Sequence, residues 1–186
     1  MAKVIYLMNV SLDGYVENSD RSTDWSSADD ELLAWFSDRS READAFVYGR
    51  RLYEVMAAYW PTAADDPSAS AEVLEFGSIW NPKPKVVFSS TLTTVQWNSR
   101  LARGDVAAEL KRLHAEYDGD LHVGGPTLAA QFIRAGLIDE YRLVVHPAIL
   151  GAGTPFFPPL DAPIRLRLFE THRFASGVTY LGYVPA

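Results

Sequence analysis

Leu121-His122-Val123-Gly124-Gly125-Pro126-Thr127-Leu128 is the stretch on which the fold turns. Leu121 to Val123 has the apolar, β-branched character of a buried strand, and two glycines then break it. Pro126 stands where a helix tolerates proline, in its first turn, and Leu128, Phe132 and Ile133 recur on one side of the helix until Gly136 stops it. Strand, glycine turn and helix make the connection that builds parallel sheets with helices on their faces. Without side chains at Gly124 and Gly125, the backbone can also approach a ligand closely. Free N–H groups at a helix start favour an anion, phosphate above all. The spacing is neither the Rossmann fingerprint nor a P-loop, and such a pair of glycines also serves as a plain tight turn.

The same order recurs upstream. Ala45-Phe46-Val47-Tyr48 reads as a short buried strand ending at Gly49, and Arg50 opens a helix to about Ala58 that closes before Trp60-Pro61. A guanidinium grips phosphate through two parallel hydrogen bonds, so Gly49-Arg50-Arg51 is a second phosphate end, or else the two arginines are solvated on an exposed helix. A third strand, Lys85 to Phe88, is followed by Ser89-Ser90-Thr91, whose hydroxyls can bond phosphate or close a turn. Ligands gather at the carboxyl ends of strands in open α/β sheets, and three such ends suggest a dinucleotide.

Val4 to Met8 is a buried first strand that stops at Ser11-Leu12-Asp13-Gly14. From Asp29 to Glu42, Leu32, Leu33, Trp35 and Phe36 lie on one side of a helix. The stretch from Pro61 to Pro84 turns to Ala, Asp, Ser and Pro, which predicts a surface excursion with a short helix from Ser70 to Phe76. Asp105 starts a helix carrying Val106, Leu110, Leu113 and Tyr117, and Gly119 ends it. Tyr141 to Ile149, Ile164 to Phe174 and Val178 to Val184 read as strands, the last two joined at Gly177. Ile164, Leu166 and Leu168 alternate with Arg165 and Arg167, the pattern of a strand with one wet face. The fold class expected is α/β: a mostly parallel central sheet with an antiparallel C-terminal hairpin, helices on both faces, and residues 1–186 in a single domain.

A chain of 186 residues, 48% of them hydrophobic, can bury one core unaided. Its net charge of -7 argues against nucleic acid as a partner. The absence of cysteine excludes disulfides, thiolate metal sites and a cysteine nucleophile, and suits the cytoplasm. The apolar run from Val4 to Val10, broken by Asn9, is too short to span a membrane. His114, His122, His146 and His172 have no metal-ligand spacing, so no metal is expected, and no Gly-x-Ser-x-Gly elbow suggests a hydrolase. Asp13, at the end of the first strand, enters the cleft as substrate binder or proton donor, or simply makes an Asp-Gly turn.

Four ordered stretches then resemble one family: Ser11 to Val16, Tyr48 to Glu54, Val123 to Leu128, and His146-Pro147-Ala148-Ile149-Leu150-Gly151-Ala152-Gly153-Thr154-Pro155-Phe156-Phe157. Together they are similar to the dihydrofolate reductase-like superfamily, most closely to the C-terminal reductase domain of the bifunctional riboflavin-biosynthesis deaminase/reductase. The resemblance implies the three-layer dihydrofolate reductase-like fold, an NADPH cofactor, a small-molecule substrate and a homodimer. Arg50, Arg51, Ser89 and Ser90 would meet the adenosine phosphates. Gly124, Gly125, Thr127 and Leu128 would hold the pyrophosphate, with Gly49 and Val123 also meeting the cofactor and nicotinamide near Met8 and Asn9. Asp13 would be the catalytic and substrate-binding acid, joined by Gly153, Thr154 and Phe156 around the substrate. Matching Leu33-Ala34-Trp35-Phe36 to the corresponding helix puts Leu32 where true dihydrofolate reductases carry their pterin-gripping acid. That favours a substrate like 5-amino-6-(5-phosphoribosylamino)uracil over folate. The alternatives are dihydrofolate reductase activity and a non-catalytic NADPH-binding sensor or interaction module.

Overall fold

The computed structural model describes residues 2–26 and 28–186. The elements run β1 (Val4–Ser11), β2 (Tyr15–Asn18), α1 (Asp30–Glu42), β3 (Ala43–Gly49), α2 (Arg50–Tyr59), a 3-10 helix (Trp60–Asp65) and α3 (Ala71–Trp80). They continue with β4 (Lys85–Phe88), β5 (Ser99–Ala102), α4 (Val106–Glu116), β6 (Asp120–Gly124), α5 (Pro126–Arg134), β7 (Glu140–His146), β8 (Gly153–Pro155), β9 (Leu166–Arg173) and β10 (Thr179–Pro185).

One eight-stranded sheet has the order β5-β4-β3-β6-β1-β7-β10-β9. The pairs from β5 to β7 are all parallel, and β10 is antiparallel to both β7 and β9. The expected α/β sheet with an antiparallel C-terminal hairpin is therefore present. Alternation along β3 explains the layers. Ala45 and Val47 pack with Leu110 and Leu113 of α4 and Leu128 and Phe132 of α5. Phe46 and Tyr48 pack with Leu33 of α1, Tyr53 of α2, and Phe76 and Trp80 of α3. With both faces covered, the strand is an unbroken apolar run. Parallel pairing brings the carboxyl ends of β1, β3, β4, β5 and β6 to one edge, where each strand hands over to a turn or helix.

Three parts differ from the sequence expectation. The stretch after Pro61 is not a surface excursion throughout: α3 extends to Trp80, which is fully buried four residues after the buried Phe76. Its polar lead-in hides an apolar face that two aromatics one turn apart define. Ser99–Ala102 forms β5, the sheet's outer parallel strand, reached through Trp97 and Asn98 at φ 60° and 50°. Four residues beginning Ser-Arg give little strand signal by themselves. In β9, Leu166 packs against the core but Leu168 is 46% exposed, so the alternation does not mark a continuous core face. An edge strand is covered only partly by its single neighbour. A separate ribbon of β2 with β8 pairs Glu17 with Thr154 and Asn18 with Gly153.

Candidate functional site

Three helices begin with a polar side chain turned back on their own first turn. Asp29 accepts from the Leu32 N–H, Ser70 from Val73 and Asp105 from Ala108, at the starts of α1, α3 and α4. Helices α2 and α5 begin at Gly49 and Gly125, and among the described residues neither has a side-chain cap. Gly125 sits at φ 94°, a conformation that a side chain rarely permits. A Cβ on Gly125 would stand 3.5 Å from the Gly49 nitrogen, so the two bare termini meet across a gap that side chains would fill. Each helix start carries about half a positive charge from its aligned peptides. Helix starts with this polarity and no side-chain cap suit an anion.

The gap opens into a cleft of about 790 Å³, large enough for a dinucleotide-sized ligand. Its lining includes Met8, Asn9, Gly49, Arg50, Arg51, Ser89, Ser90, Gly125, Thr127 and Leu128, all residues expected from sequence to meet the cofactor. Val123 and Gly124 are buried behind this wall. Arg50 donates to Thr91 Oγ1 at 3.2 Å. Ser89 Oγ accepts from the Thr91 and Leu92 N–H groups at 3.2 and 2.9 Å, which shapes the loop after β4. Arg51 faces the other way: its Nε lies 2.9 Å from Glu17 Oε2 and its Nη2 donates to the Arg21 carbonyl at 2.8 Å.

At the β1 end, Met8 Sδ accepts from the Gly125 N–H at 3.4 Å. Asn9 Oδ1 and His146 Nε2 are 3.0 Å apart, and Trp25 meets the His146 ring edge-on at 5.7 Å between centroids. Burial lowers the His146 pKa from its ordinary value, with the Asp29 carboxylate opposing, so at neutral pH the ring behind Asn9 is uncharged. Leu32 is fully buried with Val144, Phe174, Val178 and Tyr180. The acids around it are engaged elsewhere: Asp29 caps α1, Asp30 accepts from Ser70 Oγ and Glu31 accepts from the Ala175 N–H.

Four residues expected around a substrate lie outside the cleft lining. Asp13 accepts from Ser11 Oγ at 2.7 Å and from the Leu150 and Gly151 N–H groups at 3.1 and 2.7 Å. The Ser11 hydroxyl first, then those N–H groups, hold its carboxyl below its usual pKa, and the same bonds clamp the loop after β7. Phe156 is buried against Tyr6, ring centroids 4.2 Å apart. Gly153 and Thr154 belong to the ribbon with β2, and a Cβ on Gly153 would overlap the Glu17 carbonyl.

The RibD C-terminal domain family matches residues 2–180. This chain belongs to that family. It is 30% identical over 182 residues to the uncharacterized protein YyaP of Bacillus subtilis (strain 168), covering 97% of this chain and 94% of YyaP. The crystal structure of a putative riboflavin biosynthesis protein from Shewanella sp. PV-4 superposes at a TM-score of 0.78 with 22% identity, over 100% of this chain and 99% of that one. Dihydrofolate reductase from Enterococcus faecalis, solved with NADP(H), superposes at 0.65 with 12% identity, covering 98% and 96%. The fold is that of the dihydrofolate reductase-like superfamily.

Within this RibD C-terminal domain, the sequence reading passed over Arg103 and Glu17. Arg103 follows β5 into the cleft lining and donates to the Ser90 and Leu92 carbonyls at 3.0 and 2.6 Å. Leu101-Ala102-Arg103-Gly104 ahead of the Asp105 cap repeats the strand-to-helix pattern of Tyr48-Gly49-Arg50, a signal that the short strand obscured. Glu17 had no local signal, because its partners Arg51 and Thr154 are distant in sequence.

Proposed function

We propose that the chain is an NADPH-dependent reductase of a pyrimidine- or pterin-like heterocycle, closest in type to the riboflavin-pathway reductases. The observation that carries this reading is the meeting of two uncapped helix starts, α2 and α5, in one cleft beside Arg50 and Arg103. Gly49 and Gly125 leave backbone N–H groups of both first turns to hold the diphosphate, with Thr127 and Leu128 beside them. Arg50, Arg103 and the Ser89-Ser90-Thr91 loop suit the adenosine 2′-phosphate, since guanidinium groups match phosphate oxygens in pairs. Met8 and Asn9 line the end where the nicotinamide would lie. NADPH supplies the hydride; the protein's share is alignment and exclusion of water.

Riboflavin-type pyrimidines fit better than folate, because Leu32 is apolar and fully buried and the neighbouring acids are engaged. A second reading, a sensor that binds NADPH without turnover, is favoured by Asp13, whose carboxylate is consumed in holding Leu150 and Gly151. We further infer that the chain acts as a single domain in the cytoplasm and pairs with a second copy. The open β9 edge, with Leu168 and Phe169 exposed, offers it a surface.

Titration with NADPH, followed by quenching of the five tryptophans, tests the cofactor. Saturation at micromolar NADPH is expected, and no binding at millimolar NADPH would sink the assignment. Following NADPH oxidation against phosphoribosylamino-uracil, its dephosphorylated form and dihydrofolate separates reductase from sensor: loss of absorbance with one of them makes it a reductase.

A further inference from the structure

Glu17 is the only carboxylate side chain among the described lining residues of the cleft. Its side chain is 12% exposed and both oxygens are engaged: Thr154 Oγ1 donates to Oε1 at 2.7 Å, and Arg51 Nε lies 2.9 Å from Oε2. The placement is built from below. At Gly153, φ is 150° and there is no side chain to strike the Glu17 carbonyl, so β8 closes on β2 and sets Thr154 opposite Glu17. Arg51 lies in the first turn of α2, where the helix dipole disfavours a cation. It therefore adds nothing to that helix end, and the carboxylate it attracts lines the same cleft.

We propose that Glu17 sets the affinity of the cleft for its anionic ligand: it holds Arg51 as an internal stand-in for phosphate, and a bound diphosphate takes Arg51 over. The inference rests on the phosphate-binding reading of the cleft. Arg51 also holds the Arg21 carbonyl, and Arg21, Thr23 and Ser26 line the same cleft. The pair consequently ties the segment after β2 to the start of α2 while the cleft is empty, and each binding event works against that tie.

The test is a cycle of four proteins: wild type, Glu17→Gln, Arg51→Gln and the double variant, each titrated with NADPH and, separately, with inorganic pyrophosphate. The amide introduced by Glu17→Gln can keep the Thr154 hydrogen bond while losing the charge, and thermal melts verify that each variant folds. Removing a half-exposed ion pair that competes with the ligand is expected to tighten binding by about three- to fivefold in Glu17→Gln. Arg51→Gln weakens binding, and in its background the Glu17 change has no effect, because the two act as one unit. Unchanged or weaker binding in Glu17→Gln, or equal tightening with and without Arg51, would overturn the proposal. If wild type takes pyrophosphate but not NADPH, the cofactor reading falls while the Glu17 comparison is still decided by pyrophosphate. If no variant takes either probe, both readings fall.

Discussion

Helices α1, α3 and α4 start on Asp29, Ser70 and Asp105, whose side chains satisfy a first-turn N–H; α2 and α5 start on Gly49 and Gly125, which satisfy none. A polar cap contributes about 1 kcal/mol relative to alanine but only roughly a few tenths relative to glycine, so the two glycine starts forgo little by lacking one. What holds α5 instead is its buried side: Leu128, Ala129, Phe132 and Ile133 lie in the same core as Val47 and Val123. Truncating one such aromatic to alanine typically costs about 3–5 kcal/mol, so packing outweighs the missing cap. The difference between the two sets separates helix starts closed by their own side chains from those left open beside the cleft. Capped starts serve the fold; bare starts face the cleft.

Giving a bare start the cap it lacks should break the distinction, with the largest effect of any single change. Gly49 has φ -68° and ψ 152°, ordinary cap geometry, so Gly49→Asp should cap α2 without strain. Its carboxylate would stand where the diphosphate is expected. Two unit charges about 4 Å apart at an effective dielectric of about 20 repel by roughly 4 kcal/mol, or about a thousandfold in affinity. Urea denaturation should find the variant as stable as wild type, while calorimetric titration finds NADPH binding lost. Retained binding would remove the α2 start from the diphosphate's expected contacts.

Acid offers the next largest effect and reaches the bare start at α5 through the fold. His122 lies on β6, three residues before Gly125, buried with its Nε2 unpartnered. Burial first, then the positive charges of Arg142, Lys83 and Arg39, lower its pKa from 6.5 to about 3. Between those values the unfolded chain binds a proton that the folded chain refuses, so stability falls as pH drops through 6.5 towards 3. At pH 4 the His122 contribution amounts to about 3 kcal/mol. His122→Leu should remove that part of the acid slope in urea midpoints at pH 7 and pH 4. An unchanged slope would assign the acid sensitivity to carboxylates.

Arg103 sharpens the cofactor side of the comparison more modestly. Loss of one charge-assisted pair to the 2′-phosphate should weaken NADPH by roughly tenfold in Arg103→Ala, with NADH changed by less than about twofold. Because Arg103 also braces the Ser90 and Leu92 carbonyls, an equal loss for both cofactors would make it a loop brace and no phosphate ligand.

The legible parts of this site were those encoded locally. Gly124-Gly125-Pro126 and Tyr48-Gly49-Arg50 announce strand, turn and helix within a few residues, and the structure brings both turns to the cleft edge. Asp13, Gly153, Thr154 and Phe156 were legible as a cluster but not in their contacts. Adjacent chain segments could place them near the cleft, yet which way each side chain faces depends on partners such as Leu150, Glu17 and Tyr6. Arg51 illustrates the limit most clearly. Nothing near it in sequence announces the ion pair that Glu17 makes with it from 34 residues away. Trp80 fails for a similar reason, since burial comes from packing beside Phe76 and Val87 beneath a polar lead-in.

The smallest expected effect completes the contrast from the capped side. Ser70 Oγ accepts from the Val73 N–H at 3.4 Å and donates to Asp30 Oδ1 at 3.0 Å, so it closes α3 and ties it to α1 at an exposed position. The long cap distance and the competing acceptor place its contribution at the low end of the range, about 0.5 kcal/mol. Ser70→Ala should lower the unfolding free energy obtained from urea denaturation by that amount and leave the NADPH titration superimposable on wild type, because α3 contributes no residue to the cleft lining. A change in cofactor affinity with Ser70→Ala would mean that capped and bare helix starts are energetically coupled through α1 and α3. The separation between helix ends that stabilise and helix ends that bind would then no longer hold.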